Sequence, residues 1–301
     1  MSISVNQVSK SFGSQLALDS VSFRVNSGEI AAFIGPNGAG KSTLMKIMCG
    51  LVKPSSGEVS IKDLPVSGNS LDIRRKLGYL PENNPLYPDL YVEEYLLHVA
   101  GLYGLNRRYA RVREVVGLTG LTPEMHKKIG VLSKGYKQRV GLAQAIVHDP
   151  DVLILDEPTT GLDPNQLVEI RNLISGLGRE KTVMLSTHIM QEVEAICQRV
   201  IIISKGRIMA DDLTGNIGKH ATTPHTVILE LNTDPEETLF RSVDGVDGVK
   251  QLKPGTWLIE TYSGKDIRED LFRLAVENKL VIRSMHAKDR KLEEVFHELT
   301  S

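Results

Sequence analysis

The chain reads as an α/β protein built on a mostly parallel sheet, with a second, smaller α+β domain after it. Three observations predict this. Short apolar runs ending in polar or glycine turns alternate with helical stretches over the first two-thirds. A glycine-rich turn sits between one such run and the helix after it. Beyond a Gly/Thr/Pro-rich interruption, the order becomes strand, helix, strand, strand, helix, strand and a final helix, which is the ferredoxin-like order.

The elements follow in sequence. ISVNQVSKSF and VSFRV have the look of antiparallel edge strands. EIAAFIG, DVLILDE, TVMLSTH and RVIIISKG are brief and apolar throughout, as strands buried on both faces must be. KSTLMKIMCGL, QLVEIRNLISGLG and IMQEVEAICQ lie between them with helical spacing. From about Leu90 to His148 strand signals stop, and YVEEYLLHVAGLYG and ARVREVVGLTGL place apolar residues three and four apart. This predicts a helical insertion, with Arg107, Arg108, Arg111 and Arg113 forming a solvated basic face. LTGNIGKHATTPH lacks periodicity and reads as a linker. TVILEL, PEETLFRSV, VKQLK, TWLIETY, IREDLFRLAVEN, LVIRSM and LEEVFHEL then supply the α+β domain. The expected boundaries are a first domain over 1–212 with its helical part at about 83–148, a linker over 213–224, and an accessory domain over 225–301.

Composition narrows the function classes. Of 301 residues, 41% are apolar and 24% charged, which argues against disorder. Lys plus Arg (36) nearly balances Asp plus Glu (37), so a nucleic-acid partner is not expected. Cys49 and Cys197 each fall in an apolar helical pattern and suit neither a disulfide framework nor a zinc site. The opening MSISVNQVSKSF has no signal-peptide character. No apolar run approaches the ~18 residues of a membrane span, so a membrane role is expected to run through a partner.

GPNGAGKS, Gly35 to Ser42, matches the phosphate-loop pattern in the setting it requires, after a strand and before a helix. Gly38 and Gly40 let successive N–H groups turn toward a phosphate. The helix N-terminus adds its positive dipole end. Lys41 brings a charge for the β- and γ-phosphates, and Ser42 a hydroxyl for Mg²⁺. Asp156 and Glu157 end the apolar run VLILDE, at the strand edge where ligands bind in open parallel sheets. Asp156 is suited to hold Mg²⁺, and Glu157 to orient and deprotonate an attacking water. His188 ends another strand and is a candidate γ-phosphate contact.

The order GPNGAGKST, LSKGYKQRVGLAQAI, LILDEPTTGLDP, STH resembles the ABC ATPases over roughly residues 2–212, and the second motif separates this family from other phosphate-loop proteins. PENNPLYPDLYVEEYL, LSKGYKQR and LEEVFHEL are similar to the gliding-motility-associated group of exporter ATPases, whose permeases are separate chains. The resemblance implies a P-loop NTPase fold, ATP and Mg²⁺ as cofactors, and ATP hydrolysis coupled to transport. It also implies a homodimer or heterodimer of ATPase subunits under an integral membrane permease, at the cytoplasmic face of the inner membrane.

By the same resemblance, Gly35, Pro36, Asn37, Gly38, Ala39, Gly40, Lys41, Ser42 and Thr43 cradle the triphosphate, and Phe12 stacks on adenine. Ser133 and Gly135 reach the γ-phosphate from the other subunit, and Asp163 links the two composite sites. The chain departs from the family twice. Lys134 and Tyr136 replace residues of the LSGGQ signature, and Glu82 stands where a glutamine usually contacts Mg²⁺ and senses the permease. The competing reading is a soluble ABC ATPase without a permease, in translation or DNA repair. A single phosphate loop and an insertion of only tens of residues disfavour it.

Overall fold

A computed structural model describes residues 1–66, 71–220, 226–261, 266–287 and 292–300. The chain divides into two compact units, Met1–Ile217 with Phe296–Ser301, and Gly218–Val295.

The first unit opens with β1 (Ile3–Phe12) and β2 (Gln15–Val25), an antiparallel pair. β3 (Ile30–Ile34) leads into α1 (Lys41–Met48); β4 (Ser56–Ile61) returns to β1, and β5 (Leu64–Pro65) pairs with β4. The resulting antiparallel sheet has the order β2-β1-β4-β5. α2 (Leu71–Lys76) and β6 (Leu77–Leu80) precede the helical segment of α3 (Val92–Leu102), α4 (Arg108–Leu118) and α5 (Lys134–Ile146). Then follow β7 (Val152–Asp156), α6 (Pro164–Leu177), β8 (Thr182–Ser186), α7 (Met190–Ile196), β9 (Arg199–Ser204) and β10 (Arg207–Leu213). The main sheet has the order β10-β9-β3-β8-β7-β6 and is parallel except for β10.

Every residue of β3, β7 and β8 is buried, which explains their uninterrupted apolar sequences. α1 buries Leu44, Met45, Ile47 and Met48 in a core shared by Phe33 of the parallel sheet and Phe23 of the antiparallel one. Those two rings lie 5.8 Å apart between centroids. The helix that opens at the phosphate loop is thus fixed by both sheets.

β4, β5, β6 and β10 lie outside the sequence expectation. β6 has four residues, too few to show a period, and β4 buries only Val59 and Ile61. β10 returns along β9 through Lys205 and Gly206, both at positive φ (+49° and +79°), a two-residue hairpin turn. Leu213 therefore closes a strand, and Thr214–His220 forms a 3₁₀ run. The stretch 213–224 corrects accordingly: its first eight residues are regular, and 221–225 lie outside the described residues.

In the helical segment, Val92, Tyr95, Leu96, Val99 and Ala100 of α3 are buried, as are Val112, Val115 and Val116 of α4. Arg111 does not belong to a solvated face. Its guanidinium donates to the carbonyls of Val147 (3.0 Å) and Ile146 (2.9 Å), satisfying the open C-terminal end of α5. Just beyond, His148 stacks flat on Tyr103, with centroids 3.8 Å apart and planes 1° from parallel. Its Nε2 lies 3.0 Å from the Leu77 carbonyl, a geometry in which the ring N–H donates.

Burial pushes the His148 imidazole down to about 4. The unfolded chain therefore takes up a proton near the ordinary value of 6.5, while the folded chain refuses it until about pH 4. Stability contributed by the neutral ring is fully present above the unfolded value and is lost as pH falls through that window, by at most about 3 kcal/mol. Denaturant titrations of the full chain at pH 7 and pH 4.5 are expected to show this decline, and His148→Gln to flatten its histidine share. Equal pH slopes in both proteins would remove the assignment.

The second unit holds β11 (Thr226–Leu231), α8 (Glu237–Arg241), β12 (Val246–Lys253), β13 (Thr256–Thr261), α9 (Arg268–Glu277) and β14 (Ile282–Ala287); α10 (Leu292–Thr300) follows. The sheet order is β12-β13-β11-β14, with all neighbours antiparallel. Phe240 of α8 and Leu271 of α9 pack with Val227, Leu229, Trp257 and Ile259 as its core.

Candidate functional site

The carboxyl ends of β3, β7 and β8 assemble the site. Their parallel register sets Asp156 beside Ser186, so the residues that leave each strand begin from a common edge.

The phosphate loop leaves β3 at Gly35. A Cβ there would stand 2.4 Å from the Ile203 carbonyl oxygen, so only glycine fits against β9. Gly40 has φ +108°, and a Cβ would come within 2.6 Å of the Ala17 carbonyl. Ala39 is buried, and its carbonyl accepts from Gly206 N at 3.1 Å. Lys41 folds back over the loop, its ammonium 2.6 Å from the Gly35 carbonyl and 3.2 Å from that of Pro36. Burial lowers its proton affinity, and the nearby carboxylates of Glu157, Asp156 and Glu82 oppose that shift. A cation held over a glycine-rich turn at the opening of α1 suits a polyanion.

Asp156 is 1% exposed and accepts hydrogen bonds from Ser186 Oγ at 2.6 Å and Ser42 Oγ at 3.3 Å. Hydroxyl and carboxylate oxygens thus meet where the phosphate loop faces β7, a donor set that suits a small hard cation such as Mg²⁺. Among the described residues no three His, Cys, Asp or Glu gather as a metal cage. A cation completed by water and phosphate oxygens requires none.

Glu157 adopts φ +51°, a strained conformation for a residue with a side chain. Its N–H is held by Ser186, 2.9 Å from Oγ and 3.2 Å from the carbonyl oxygen. One carboxylate oxygen, Oε2, accepts from Thr160 Oγ1 at 2.9 Å and lies 2.8 Å from His188 Nδ1. Because a carboxylate only accepts, Nδ1 carries the proton in this contact. The pair is uneven in exposure, with the Glu157 side chain 11% and the His188 side chain 57% accessible.

A cavity of about 640 Å³ gathers Phe12, Asn37, Gly38, Gly40, Lys41, Ser42, Thr43, Glu82, Glu157 and His188. Phe12 stands at the end of β1, 52% exposed, with the Lys10 ammonium 4.9 Å from its ring centroid. Glu82 lines this cavity and contributes to the field at Lys41.

Ser133, Gly135 and Asp163 stand apart from it. Ser133 caps α5 by accepting from Tyr136 N at 3.4 Å, and Asp163 caps α6 by accepting from Gln166 N at 2.9 Å. Gly135 and Asp163 line a separate hollow of about 270 Å³ with Tyr136, Arg139 and Gln166. Lys134 reaches away from its helix, its ammonium lying where a Cβ on Gly161 would be.

The sequence reading missed the hydroxyl groups around the acid pair: Ser186, Thr160, Thr159 and Thr187. They lie within the quoted TTGLDP and STH motifs. The signal was present, but single hydroxyl residues carry no spacing that marks them as partners of a carboxylate on another strand.

A family model described as ABC transporter matches residues 18–160. The Nod factor export ATP-binding protein I of Burkholderia pseudomallei (strain 1710b) is 41% identical over 212 residues, covering 69% of this chain and 70% of its own length. The bacitracin transport ATP-binding protein BcrA of Bacillus licheniformis is 32% identical over 302 residues, covering 99% of this chain and 96% of its own. The chain belongs to the ABC transporter family. It is an ATP-binding, ATP-hydrolysing subunit of such a transporter. Among solved structures, the dimeric post-hydrolysis ABC cassette MJ0796 bound to ADP and Pi is similar with a TM-score of 0.64 at 27% identity, over 70% of this chain and 98% of that one. The P-loop NTPase fold of the ABC cassettes is therefore common to both, and the match to BcrA extends over nearly the full length of this ABC subunit.

Proposed function

We propose that this subunit powers an exporter by closing head to tail with a second ATPase subunit on two molecules of ATP. One observation carries the reading. Within a single chain the phosphate loop, Glu157 and His188 share a cavity, while Ser133 and Gly135, at the N-terminal end of α5, do not line it. Ser133 is exposed there, offering a hydroxyl and a helix N-terminus to an anion that this chain does not bring. A triphosphate held by the first set of groups in one subunit is completed by the second set in the other. Both halves occur in this sequence, so a homodimer suffices.

In the closed state Lys41 and the loop N–H groups bind the phosphates; Ser42 and Asp156 would hold Mg²⁺, which would supply positive charge against the phosphates. Phe12 offers its face to the base. Glu157 orients and deprotonates the attacking water, with His188 and Thr160 fixing its carboxylate. Asp163, capping α6 in the same hollow as Gly135, stands where the two composite sites join. Loss of the γ-phosphate removes the anion shared by both subunits, and they part.

Among the described residues no helix is long and apolar enough to cross a membrane. Movement is passed instead to a separate permease at the cytoplasmic face of the inner membrane. A groove of about 400 Å³ fits that contact, lined by Leu51, Leu77, Tyr87, His98, Leu102 and Tyr103 among others. Leu102 is 74% and Tyr87 55% exposed, an apolar and aromatic lining of the kind that receives a partner's helix. Glu82 lies in the segment between groove and nucleotide cavity and links the two. Export is the direction assigned to the Nod factor relative.

Co-purification from membranes tests this. The wild-type chain is expected to bring down a polytopic membrane protein. Tyr87→Asp with Leu102→Asp should lose it while still binding ATP in solution. Recovery of ribosomes or DNA-repair factors in place of a membrane protein would overturn the transporter assignment of this chain's partner.

A further inference from the structure

Glu192, on α7, is 1% exposed and takes no part in the chemistry above. Its Oε2 accepts hydrogen bonds from Thr159 Oγ1 and Thr187 Oγ1, both at 2.8 Å. The hydroxyls come from two different loops, and both threonines are buried. Thr159 follows Glu157 by two residues, and its neighbour Thr160 donates to the Glu157 carboxylate. Thr187 directly precedes His188, and its Oγ1 in turn accepts from Ile189 N at 3.1 Å. The other Glu192 oxygen, Oε1, is buried and takes no hydrogen bond from a protein group among the described residues.

We infer that Glu192 is a positioning residue, a clamp that holds Glu157 and His188 in register by tying together the loops that carry them. The register of β7 and β8 ends at Asp156 and Ser186, and beyond the Glu157 N–H bond to Ser186 no backbone pairing ties the two loops together among the described residues. The 2.8 Å contact between His188 and Glu157 depends on their relative placement all the same. Glu157 also sits at φ +51°, a conformation that persists only where the surroundings over-determine it. A buried carboxylate with an unused oxygen is costly to keep. Its geometric advantage is that one oxygen with two lone pairs receives both threonine hydroxyls at a single point.

The inference rests on Glu157 and His188 serving hydrolysis, and the test separates the two. In the full chain with Mg-ATP, Glu192→Ala is expected to lower kcat by about 10–100-fold. Affinity for ATP, set by the phosphate loop, should stay within about twofold. Thr159→Val and Thr187→Val, nearly isosteric, should each lower kcat, and their combination should lose much less than the product of the two. Glu192→Gln keeps an oxygen able to accept both hydroxyls and should recover kcat to within about threefold. A clamp is ruled out by wild-type kcat in Glu192→Ala, by full additivity of the threonine variants, or by Gln performing as poorly as Ala. Should Glu192→Ala fail to fold, the threonine pair decides. Unchanged turnover in Glu157→Gln would instead remove the underlying assignment, whatever the Glu192 variants do.

Discussion

Glu157→Gln is expected to lower ATP turnover by about 10²–10⁴-fold and to leave nucleotide binding intact. The amide retains an oxygen for Thr160 Oγ1 and His188 Nδ1, both of which now meet the carboxylate, so the loop geometry has no reason to collapse. What disappears is basicity at the point where a water must lose its proton. In the proposed head-to-tail dimer, blocked hydrolysis leaves in place the anion that the two subunits would share. Mg-ATP should then convert the variant to a stable dimer, measured by light scattering on a sizing column. Turnover close to wild type would exclude Glu157 as the base. A variant that stayed monomeric under saturating Mg-ATP would count against the composite site itself.

Lys41→Met should act one step earlier, on binding. The Lys41 ammonium lies against the loop's backbone, donating to the carbonyls of Gly35 and Pro36. Removing it strips a charge-assisted contact from the phosphates and leaves both carbonyls without that donor. Truncation of such a pair reduces affinity by about 10²-fold or more. Calorimetric titration with ATP is the direct measurement, and methionine preserves the bulk of the chain that packs beneath the loop. Affinity equal to wild type would show that the loop does not cradle phosphate. The two variants are complementary: one should bind without turning over, the other should barely bind.

The legible parts of this molecule were those written locally. GPNGAGKS needs its glycines where the backbone is at φ +80° and +108°, so conformation and sequence are the same information there. β3, β7 and β8 are buried on both faces, and their unbroken apolar runs announce it. The β-α-β-β-α-β order of the last third similarly needs only local periodicity. Edge strands were less legible because one side faces solvent and their composition is mixed; β10, with its RIMADDL sequence, is the clearest case. Arg111 was misread for a related reason. A basic residue on a helix looks solvated until a second helix ends beside it and presents its carbonyls.

The sequence by itself determined the phosphate loop, the acid pair at the end of its strand, the family and the strand–helix order, since each is carried by residues adjacent in the chain. Only the tertiary structure decided which of the remaining polar groups act together. Ser186 donates to Asp156 from the neighbouring strand, His188 meets Glu157 across 31 positions, and Thr159 and Thr187 converge on Glu192 from loops on different strands. The physical reason is common to all three. Hydrogen bonds and charges act over a few ångströms of space, and parallel strands joined by long crossovers bring distant residues to one edge without leaving a local pattern behind.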